Sequence, residues 1–355
     1  MDENKEQKDT QDFSPKDDVV SSIDSSALEN TNNLQFENRL DLSELQASIQ
    51  KIKQEVGKVI VGQKDMVDML IASLLAKGHS LIEGVPGVAK TITAKLLAKS
   101  LSVSFSRIQF TPDLMPSDIL GTSIFNLKSS EFEFKKGPIF SNMILIDEIN
   151  RAPAKTQAAL FEVMEEQQIT IDGNKFKLDS PFIVLATQNP VEQEGTYRLP
   201  EAQLDRFLFK IDVDYPNLEE EIEILSREHE LKDKAKVDAI TSFLTGAQII
   251  KYQNLVAQVV VEKHLLKYIA ELIVATRNNQ FLYLGASPRA SIAILKSSKA
   301  FAAMVGRDFV TPEDIKRAAI PVLHHRVIVT PEREMEGVSS KQIIKQIIET
   351  VEIPR

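Results

Sequence analysis

A glycine-rich turn between a predicted strand and a predicted helix restricts the fold of this chain more than any other feature. The turn runs from Gly84 to Thr91, after the strand His79–Glu83 and before the helix Thr91–Ser100. In such a turn, backbone N–H groups and the helix N-terminus hold phosphates, Lys90 reaches the β- and γ-phosphate oxygens, and Thr91 ligates Mg²⁺. The candidate phosphate-binding residues are Gly84, Val85, Pro86, Gly87, Val88, Ala89, Lys90 and Thr91.

Ala89 departs from the usual form of this turn, which has glycine before the lysine. Glycine and proline also mark ordinary turns, so the motif alone leaves that alternative open. The flanking strand and helix favour the phosphate-binding interpretation.

A continuous apolar strand, Met143–Asp147, ends in the adjacent acids Asp147 and Glu148. An unbroken apolar run is typical of a buried parallel strand. We expect Asp147 to join Thr91 in the Mg²⁺ shell and Glu148 to polarise the attacking water. An acidic strand end alone can be a simple turn, so the assignment depends on its pairing with the phosphate-binding turn. The adjacent glutamate, and a sequence without an Asn-Lys-x-Asp motif, favour ATP over GTP.

Three further polar residues lie beside predicted core elements. Asn189 follows the strand Phe182–Thr187, where its amide could orient the attacking water, although Asn-Pro also begins turns. Arg206 precedes the strand Phe207–Val213 and could reach the γ-phosphate of another subunit, unless it forms only a local salt bridge. Arg289 lies in a first helical turn, where its charge opposes the helix dipole, which suggests an anionic partner such as phosphate.

The order of elements predicts an α/β fold in two parts. Strands alternate with helices up to residue 214, which implies a five-stranded parallel sheet with helices on both faces. Two hairpin patterns, Gly121–Lys136 and Ile169–Leu178, interrupt this first part. A smaller all-helical domain follows, with helices predicted at Leu218–Glu230, Val237–Tyr252, Glu262–Asn278, Pro288–Val305 and Pro312–His324.

Composition limits the partners and the location of the chain. Residues 1–40 hold ten acidic and four basic residues, so most of the net charge of −9 belongs to this polar segment, which we expect to be disordered. The rest is close to neutral, which argues mildly against nucleic-acid binding. The absence of cysteine excludes disulfides and thiolate metal sites. No apolar run approaches the ~20 residues that span a bilayer, and no signal peptide begins the chain, so we expect a cytoplasmic protein without a membrane span.

The predicted domains follow from these patterns. We expect an acidic tail at residues 1–40, an α/β ATPase core at 41–214, a helical lid at 215–330 and a C-terminal extension at 331–355.

Taken together, the motifs resemble the MoxR family of AAA+ ATPases. The similar segments, within about residues 42–329, are GHSLIEGVPGVAKT, RIQFTPDLMPSDILG, GPIFSNMILIDEINRAPAKTQAALFEVMEEQQIT, PFIVLATQNPVEQEGTYRLPEAQLDRF, GASPRA, GRDFVTPEDIK and LHHR. The family also carries alanine at the position of Ala89. The resemblance implies roles for Lys90 and Thr91 (Walker A), Asp147 and Glu148 (Walker B), Asn189 (sensor 1), Arg206 (arginine finger), Arg289 (sensor 2) and Ile60, Val61 and Gly62 (adenine pocket).

The same resemblance implies ATP and Mg²⁺ as cofactors and a ring of identical subunits, expected to be a hexamer. The two hairpins resemble the helix-2 insert and the pre-sensor-1 hairpin, which face the pore in related rings. The clients implied are proteins with von Willebrand A-type domains, whose folding, assembly or metal insertion the ring assists. Arg151 or Arg198 could also contact the nucleotide of a neighbour.

Three functions stay open at this point. The first is a remodelling chaperone that binds ATP between the two domains of one subunit, with Arg206 of the next completing the site. The second is a nucleic-acid motor related to the MCM and Mg-chelatase clade, which the mixed charges of the first hairpin do not favour. The third is a nucleotide-dependent scaffold with little turnover.

Overall fold

The computed structural model describes residues 40–128, 130–190, 197, 199–230 and 242–353. These residues belong to one compact unit, Leu40–Arg355. The predicted acidic tail, apart from Leu40, lies outside the described residues, as does Arg198.

The helices and strands of the described residues are numbered in chain order. The helices are α1 (Ser43–Gly57), α2 (Lys64–Leu75), α3 (Lys90–Ser100), α4 (Pro116–Leu120), α5 (Ala154–Glu166), α6 (Glu201–Leu204), α7 (Leu218–Glu230), α8 (Gly246–Gln258), α9 (Lys263–Arg277), α10 (Pro288–Met304), α11 (Pro312–Leu323), α12 (Pro331–Met335) and α13 (Ser340–Thr350). The strands are β1 (Ser80–Gly84), β2 (Leu101–Ser102), β3 (Phe105–Gln109), β4 (Gly121–Asn126), β5 (Glu131–Lys136), β6 (Met143–Asp147), β7 (Gln168–Ile171), β8 (Asn174–Lys177), β9 (Ile183–Gln188), β10 (Phe209–Val213), β11 (Leu244–Thr245), β12 (Leu282–Leu284) and β13 (Ile328–Val329).

A five-stranded sheet forms the centre of the molecule, in the order β10-β1-β9-β6-β3. Every neighbouring pair in it is parallel. The prediction of a five-stranded parallel sheet is therefore confirmed. Because all five strands run the same way, their carboxyl ends lie along one edge of the sheet and their amino ends along the opposite edge.

Both faces of the sheet are buried, as the apolar run of β6 predicts. Met143 and Leu145 belong to one core, which also contains apolar residues of α1, α2 and α3. Ile144 and Ile146 alternate with them and belong to a second core, which contains apolar residues of α5. Side chains on a strand alternate between faces, so one strand serves two cores.

The two predicted hairpins are present. Strands β4 and β5 pair antiparallel, as do β7 and β8. Gly121, at the base of the first hairpin, has a φ of 105° and lies so close to its partner strand that an added Cβ would meet the carbonyl oxygen of Lys135 at 2.3 Å. Only glycine combines that φ with so close an approach.

The region after residue 215 is mainly helical and includes one short ribbon, in which β12 and β13 pair antiparallel. Helix α13 packs against α9 and α11 and buries four isoleucines there: Ile343, Ile344, Ile347 and Ile348. The domain boundaries stay a prediction.

The predicted helix Val237–Tyr252 is wrong at Leu244 and Thr245, and its residues 237–241 lie outside the described residues. In the described part of this segment, Leu244 and Thr245 form β11 and pair parallel with β2. The Thr245 side chain then accepts a hydrogen bond from the backbone N–H of Gln248 and caps α8. A threonine N-cap satisfies the free N–H groups at a helix start, so the helix begins after Thr245.

No helix in the described ranges is both long and apolar enough to cross a lipid bilayer.

Candidate active site

A cavity of about 390 Å³ lies at the carboxyl ends of β1, β3, β6 and β9. Residues from four separate stretches of the chain meet there, because the carboxyl ends of these strands lie side by side. Ligands of open α/β sheets bind beyond this edge. The lining residues are Pro86, Gly87, Val88, Ala89, Lys90, Thr91, Ile92, Arg107, Gln109, Asp147, Glu148, Thr187, Gln188 and Asn189.

The loop before α3 requires unusual backbone conformations. Gly87 has a φ of 90°, and Ala89, the residue before the lysine, has a φ of 63°. An L-residue in this left-handed region costs about 1–2 kcal/mol, which explains why glycine is usual at the position of Ala89. Lys90 folds back over the loop, where its Nζ donates to the carbonyl oxygens of Gly84 and, at 2.7 Å, of Val85.

Asp147 accepts hydrogen bonds from three side chains of the cavity. Its Oδ1 accepts from Thr91 Oγ1 at 2.8 Å and from Thr187 Oγ1 at 3.3 Å. Its Oδ2 accepts from Arg107 Nε at 2.6 Å. The Thr91 hydroxyl and the Asp147 carboxylate are therefore adjacent, as the sequence predicts.

The chemistry of these two side chains fits Mg²⁺. Both offer hard oxygen atoms, and the Asp147 carboxylate is buried. No cluster of three or more His, Cys, Asp and Glu side chains suitable for a metal occurs among the described residues. A cation here would depend on the phosphates of a bound nucleotide for most of its ligands, which is usual for Mg²⁺.

Glu148 lies beside Asp147 in a left-handed backbone conformation, with a φ of 58°. Its carboxylate accepts from Gln109 Nε2 at 2.8 Å and forms an ion pair of 3.0 Å with Arg151. Its backbone N–H donates to Thr187 Oγ1. Asn189 lines the same cavity and is buried.

Ile60, Val61 and Gly62 line a second cavity, of about 500 Å³, together with residues of α7. Gly62 lies against α7, where an added Cβ would meet the carboxylate of Glu220 at 2.5 Å. The Gln63 amide donates to the carbonyl oxygen of Asp214. The segment predicted to line an adenine pocket is therefore held between α1 and α7.

Arg206 and Arg289 lie together in a third cavity, of about 220 Å³. Glu165 of α5 bridges them: it forms an ion pair of 2.6 Å with Arg206 and accepts a hydrogen bond from Arg289. Residues 77–79, which precede β1, and Leu208, which precedes β10, line the same cavity. This cavity is therefore at the amino ends of the strands, whereas the Lys90 cavity is at their carboxyl ends.

Arg326 fixes the chain around Arg206. Its side chain is only 2% exposed, and its Nε donates to Asp205 Oδ1 at 2.7 Å. It also donates to the backbone carbonyl oxygens of Asp205, Phe207 and Leu208. The segment from Asp205 to Leu208 is therefore tied to the end of α11.

Comparison with known proteins gives a consistent answer. The family model described as ATPase family associated with various cellular activities (AAA) matches residues 79–209, and the AAA lid domain model matches residues 274–347. The chain is 44% identical over 310 residues to the protein named Chaperone MoxR1 of Mycobacterium tuberculosis, which covers 85% of this chain and 81% of that protein. The chain belongs to the MoxR family of AAA+ ATPases.

Two other relatives support this assignment. The uncharacterized protein YeaC of Bacillus subtilis is 46% identical over 305 residues, with 86% of this chain and 94% of that protein covered. The crystal structure of a proposed ATPase from Cytophaga hutchinsonii superposes with a TM-score of 0.81 at 45% identity, and covers 88% of this chain and 97% of that one.

As a member of the MoxR family, the chain binds nucleotide and hydrolyses ATP. The cavity brings together nine of the predicted residues: Pro86, Gly87, Val88, Ala89, Lys90, Thr91, Asp147, Glu148 and Asn189. Arg206 and Arg289 lie elsewhere. The expectation that both domains of one subunit enclose the nucleotide does not hold for Arg289, because the described residues that line the Lys90 cavity all precede residue 190.

Sequence reasoning missed Arg107 and Gln109. Both come from the edge strand β3, whose register sets Arg107 beside Leu145 and Gln109 beside Asp147. Paired residues of parallel strands share a face, so both side chains lie on the face of Asp147. Their polar character inside a predicted strand was the available signal.

Proposed function

We propose that this MoxR-family ATPase works as a ring, expected to be a hexamer, in which each ATP is held by one subunit and completed by its neighbour. The observation that carries the proposal is the separation of Lys90 and Asp147 from Arg206 and Arg289. The two sets lie at opposite ends of the parallel strands, and five residues of β1 span about 16 Å. A subunit that presents its arginines so far from its own phosphate site needs a second subunit to bring them there.

In this proposal the loop residues 84–91 hold the phosphates by backbone N–H groups, and Lys90 leaves its carbonyl partners for the β- and γ-phosphates. Mg²⁺, held by Thr91 and Asp147, neutralises charge on the phosphate oxygens when bound. Glu148 polarises the attacking water and Asn189 orients it. The contacts of Glu148 with Gln109 and Arg151 are both made by its Oε2.

Arg206 and Arg289 are proposed to contact the γ-phosphate of the neighbouring subunit. Both are bound to Glu165, whose carboxylate offers an anion of the kind that a phosphate presents. Arg206 Nε is buried and has no acceptor within the described parts of the chain. A guanidinium with a free N–H can gain a hydrogen bond when a phosphate replaces the carboxylate.

The work done by hydrolysis is proposed to be chaperone-like remodelling of a client protein. The β4–β5 hairpin supports a protein client, because its apolar side chains are exposed: Phe132 is 74% exposed, and Ile124, Phe125 and Leu127 are exposed as well. Exposed apolar groups close together are typical of surfaces that bind other proteins. Von Willebrand A-type domains are proposed as clients from the family resemblance alone.

A client trap tests this proposal. Glu148→Gln should retain ATP binding and assembly and lose about 10²- to 10⁴-fold in turnover, because the water loses its base. We expect this variant with ATP to retain client protein in a pull-down, and Glu148→Gln combined with Phe132→Ser to retain much less. Undiminished hydrolysis would contradict the role of Glu148, and equal capture by both variants would contradict the role of the hairpin.

A further inference from the structure

Asp147 is a buried carboxylate whose charge is compensated by an exposed residue. The Asp147 side chain is 5% exposed, whereas that of Arg107 is 46% exposed. Thr91 and Thr187, which donate to the other carboxylate oxygen, are neutral. Arg107 is the cation that balances this carboxylate in the described structure.

Arg107 has few constraints that would keep it there. It comes from the edge strand of the sheet, and its guanidinium makes no other ion pair or hydrogen bond to residues that the structure describes. An exposed side chain held by one contact can move at small cost. The buried carboxylate, in contrast, cannot lose its cation without a replacement.

A replacement arrives if the cavity holds nucleotide with a divalent cation, since Asp147 and Thr91 fit Mg²⁺. Two cations cannot both occupy the accessible side of one small carboxylate without strong repulsion. Arg107 lines the same cavity as Lys90 and Thr91. A guanidinium displaced there finds the nucleotide phosphates next to it, and its planar fork matches phosphate oxygens.

We propose that Arg107 exchanges partners, from Asp147 in the nucleotide-free subunit to the phosphates when metal and nucleotide are bound. The inference rests on the proposed assignment of this cavity to the nucleotide. Arg107 thereby keeps Asp147 folded inward before loading and becomes a phosphate-binding residue of the same subunit after it. A static salt bridge, the alternative, stabilises the protein equally in both states.

Thermal unfolding with and without nucleotide distinguishes the exchange of partners from a static salt bridge. Arg107→Gln should lower Tm by on the order of 5 °C in EDTA, and by much less with Mg²⁺ and a non-hydrolysable ATP analogue, because the cation then compensates Asp147. Adding Asp147→Asn to Arg107→Gln should restore Tm in EDTA, since no buried charge remains. Arg107→Lys, which keeps the charge, should lie between wild type and Arg107→Gln.

Arg307→Gln is the matched control. Arg307 is partly exposed and forms an ion pair of 2.7 Å with the buried carboxylate of Asp314, and neither residue lines the Lys90 cavity or the cavity of Ile60, Val61 and Gly62. Its loss should lower Tm by the same amount in both conditions. A decrease in Tm of Arg107→Gln that is equally large with and without nucleotide would overturn the proposal.

Binding of a fluorescent ATP analogue with Mg²⁺ supplies the second readout. With Mg²⁺ on Asp147, Arg107 is released to the phosphates, so Arg107→Gln should weaken binding roughly tenfold under this condition. Wild-type affinity in Arg107→Gln would contradict the exchange. If the wild-type protein itself gains no stability from Mg²⁺ and nucleotide, the assignment of the cavity fails instead.

Discussion

At the scale of single residues, the phosphate loop depends on close backbone packing. Gly84 ends β1 where the neighbouring strand β10 passes, and a Cβ at Gly84 would lie 2.6 Å from the carbonyl oxygen of Val213. Ala89 and Glu148 both adopt left-handed conformations that favour glycine, and each lies beside a residue that the mechanism uses. Strain of this kind is common where a backbone must position reacting groups.

We predict that Gly84→Ala destabilises the protein by about 1–3 kcal/mol, because two strands must separate to admit the methyl group. The matched control is Gly57→Ala, at the end of α1, where no atom lies within 4 Å of an added Cβ. That change should be neutral, or stabilising by about 0.5–1 kcal/mol, since alanine restricts the unfolded chain. Urea unfolding measures both, and equal stabilities would refute the packing argument.

At the scale of elements, the sequence defines strands better than it defines their neighbours. The bounds of Met143–Asp147 and the start of α7 at Leu218 are as predicted, because each has a clear apolar pattern with a distinct beginning. The sequence does not show the register in which neighbouring strands pair. Arg107 and Gln109 reach Asp147 and Glu148 only because β3 pairs with β6 at one offset, and no local signal in the sequence encodes that offset.

The same limit applies to Arg289. Its position at the start of α10 was predictable from Ser287-Pro288, but its neighbour Glu165 lies 124 residues away in the chain. Local patterns indicate that such a charge seeks an anion. They do not indicate which end of the sheet the helix lies against, because that depends on tertiary packing.

One element contact is open to direct test. Arg326 joins the end of α11 to the start of β10, and burial lowers the pKa of its guanidinium while Asp205 opposes that effect. We predict that Arg326→Lys destabilises the protein by about 3 kcal/mol, because an ammonium group cannot reproduce the donors of the planar fork and leaves Asp205 poorly paired. Guanidinium unfolding checks this value. A loss below about 0.5 kcal/mol, typical of surface sites, would show that the contact contributes little.

At the scale of the whole molecule, stability depends on histidines that are buried without charge. Desolvation lowers the pKa of His79 and of His324 to about 4, and also lowers that of His325. In the unfolded chain these groups take up protons below about pH 6.5, while the folded protein resists protonation. Their contribution is therefore complete above that pH and is lost as pH falls from about 6.5 towards 4.

Each of these histidines should reduce the free energy of unfolding by roughly 1.4 kcal/mol per pH unit across that window. We predict that His79→Gln, whatever its effect at neutral pH, takes up about one proton fewer on unfolding between pH 6 and 4.5. Its free energy of unfolding should therefore fall less steeply with decreasing pH than that of the wild type. Urea unfolding at several pH values measures the slope. An unchanged slope would mean that His79 does not resist protonation.

The molecule as a whole presents a phosphate site at one end of its sheet and two arginines at the other, and this separation predicts active sites shared between subunits. Lys90→Ala and Arg206→Ala should each be inactive alone. Mixed in equal amounts, they should regain activity at about one site in four of a closed ring, where an intact loop meets an intact arginine. A mixture of Lys90→Ala with Glu148→Gln should gain nothing, since both changes affect the same cavity. ATP hydrolysis measured across mixing ratios decides the matter: recovery only in the first mixture is the expected result, and no recovery at any ratio would contradict a shared site.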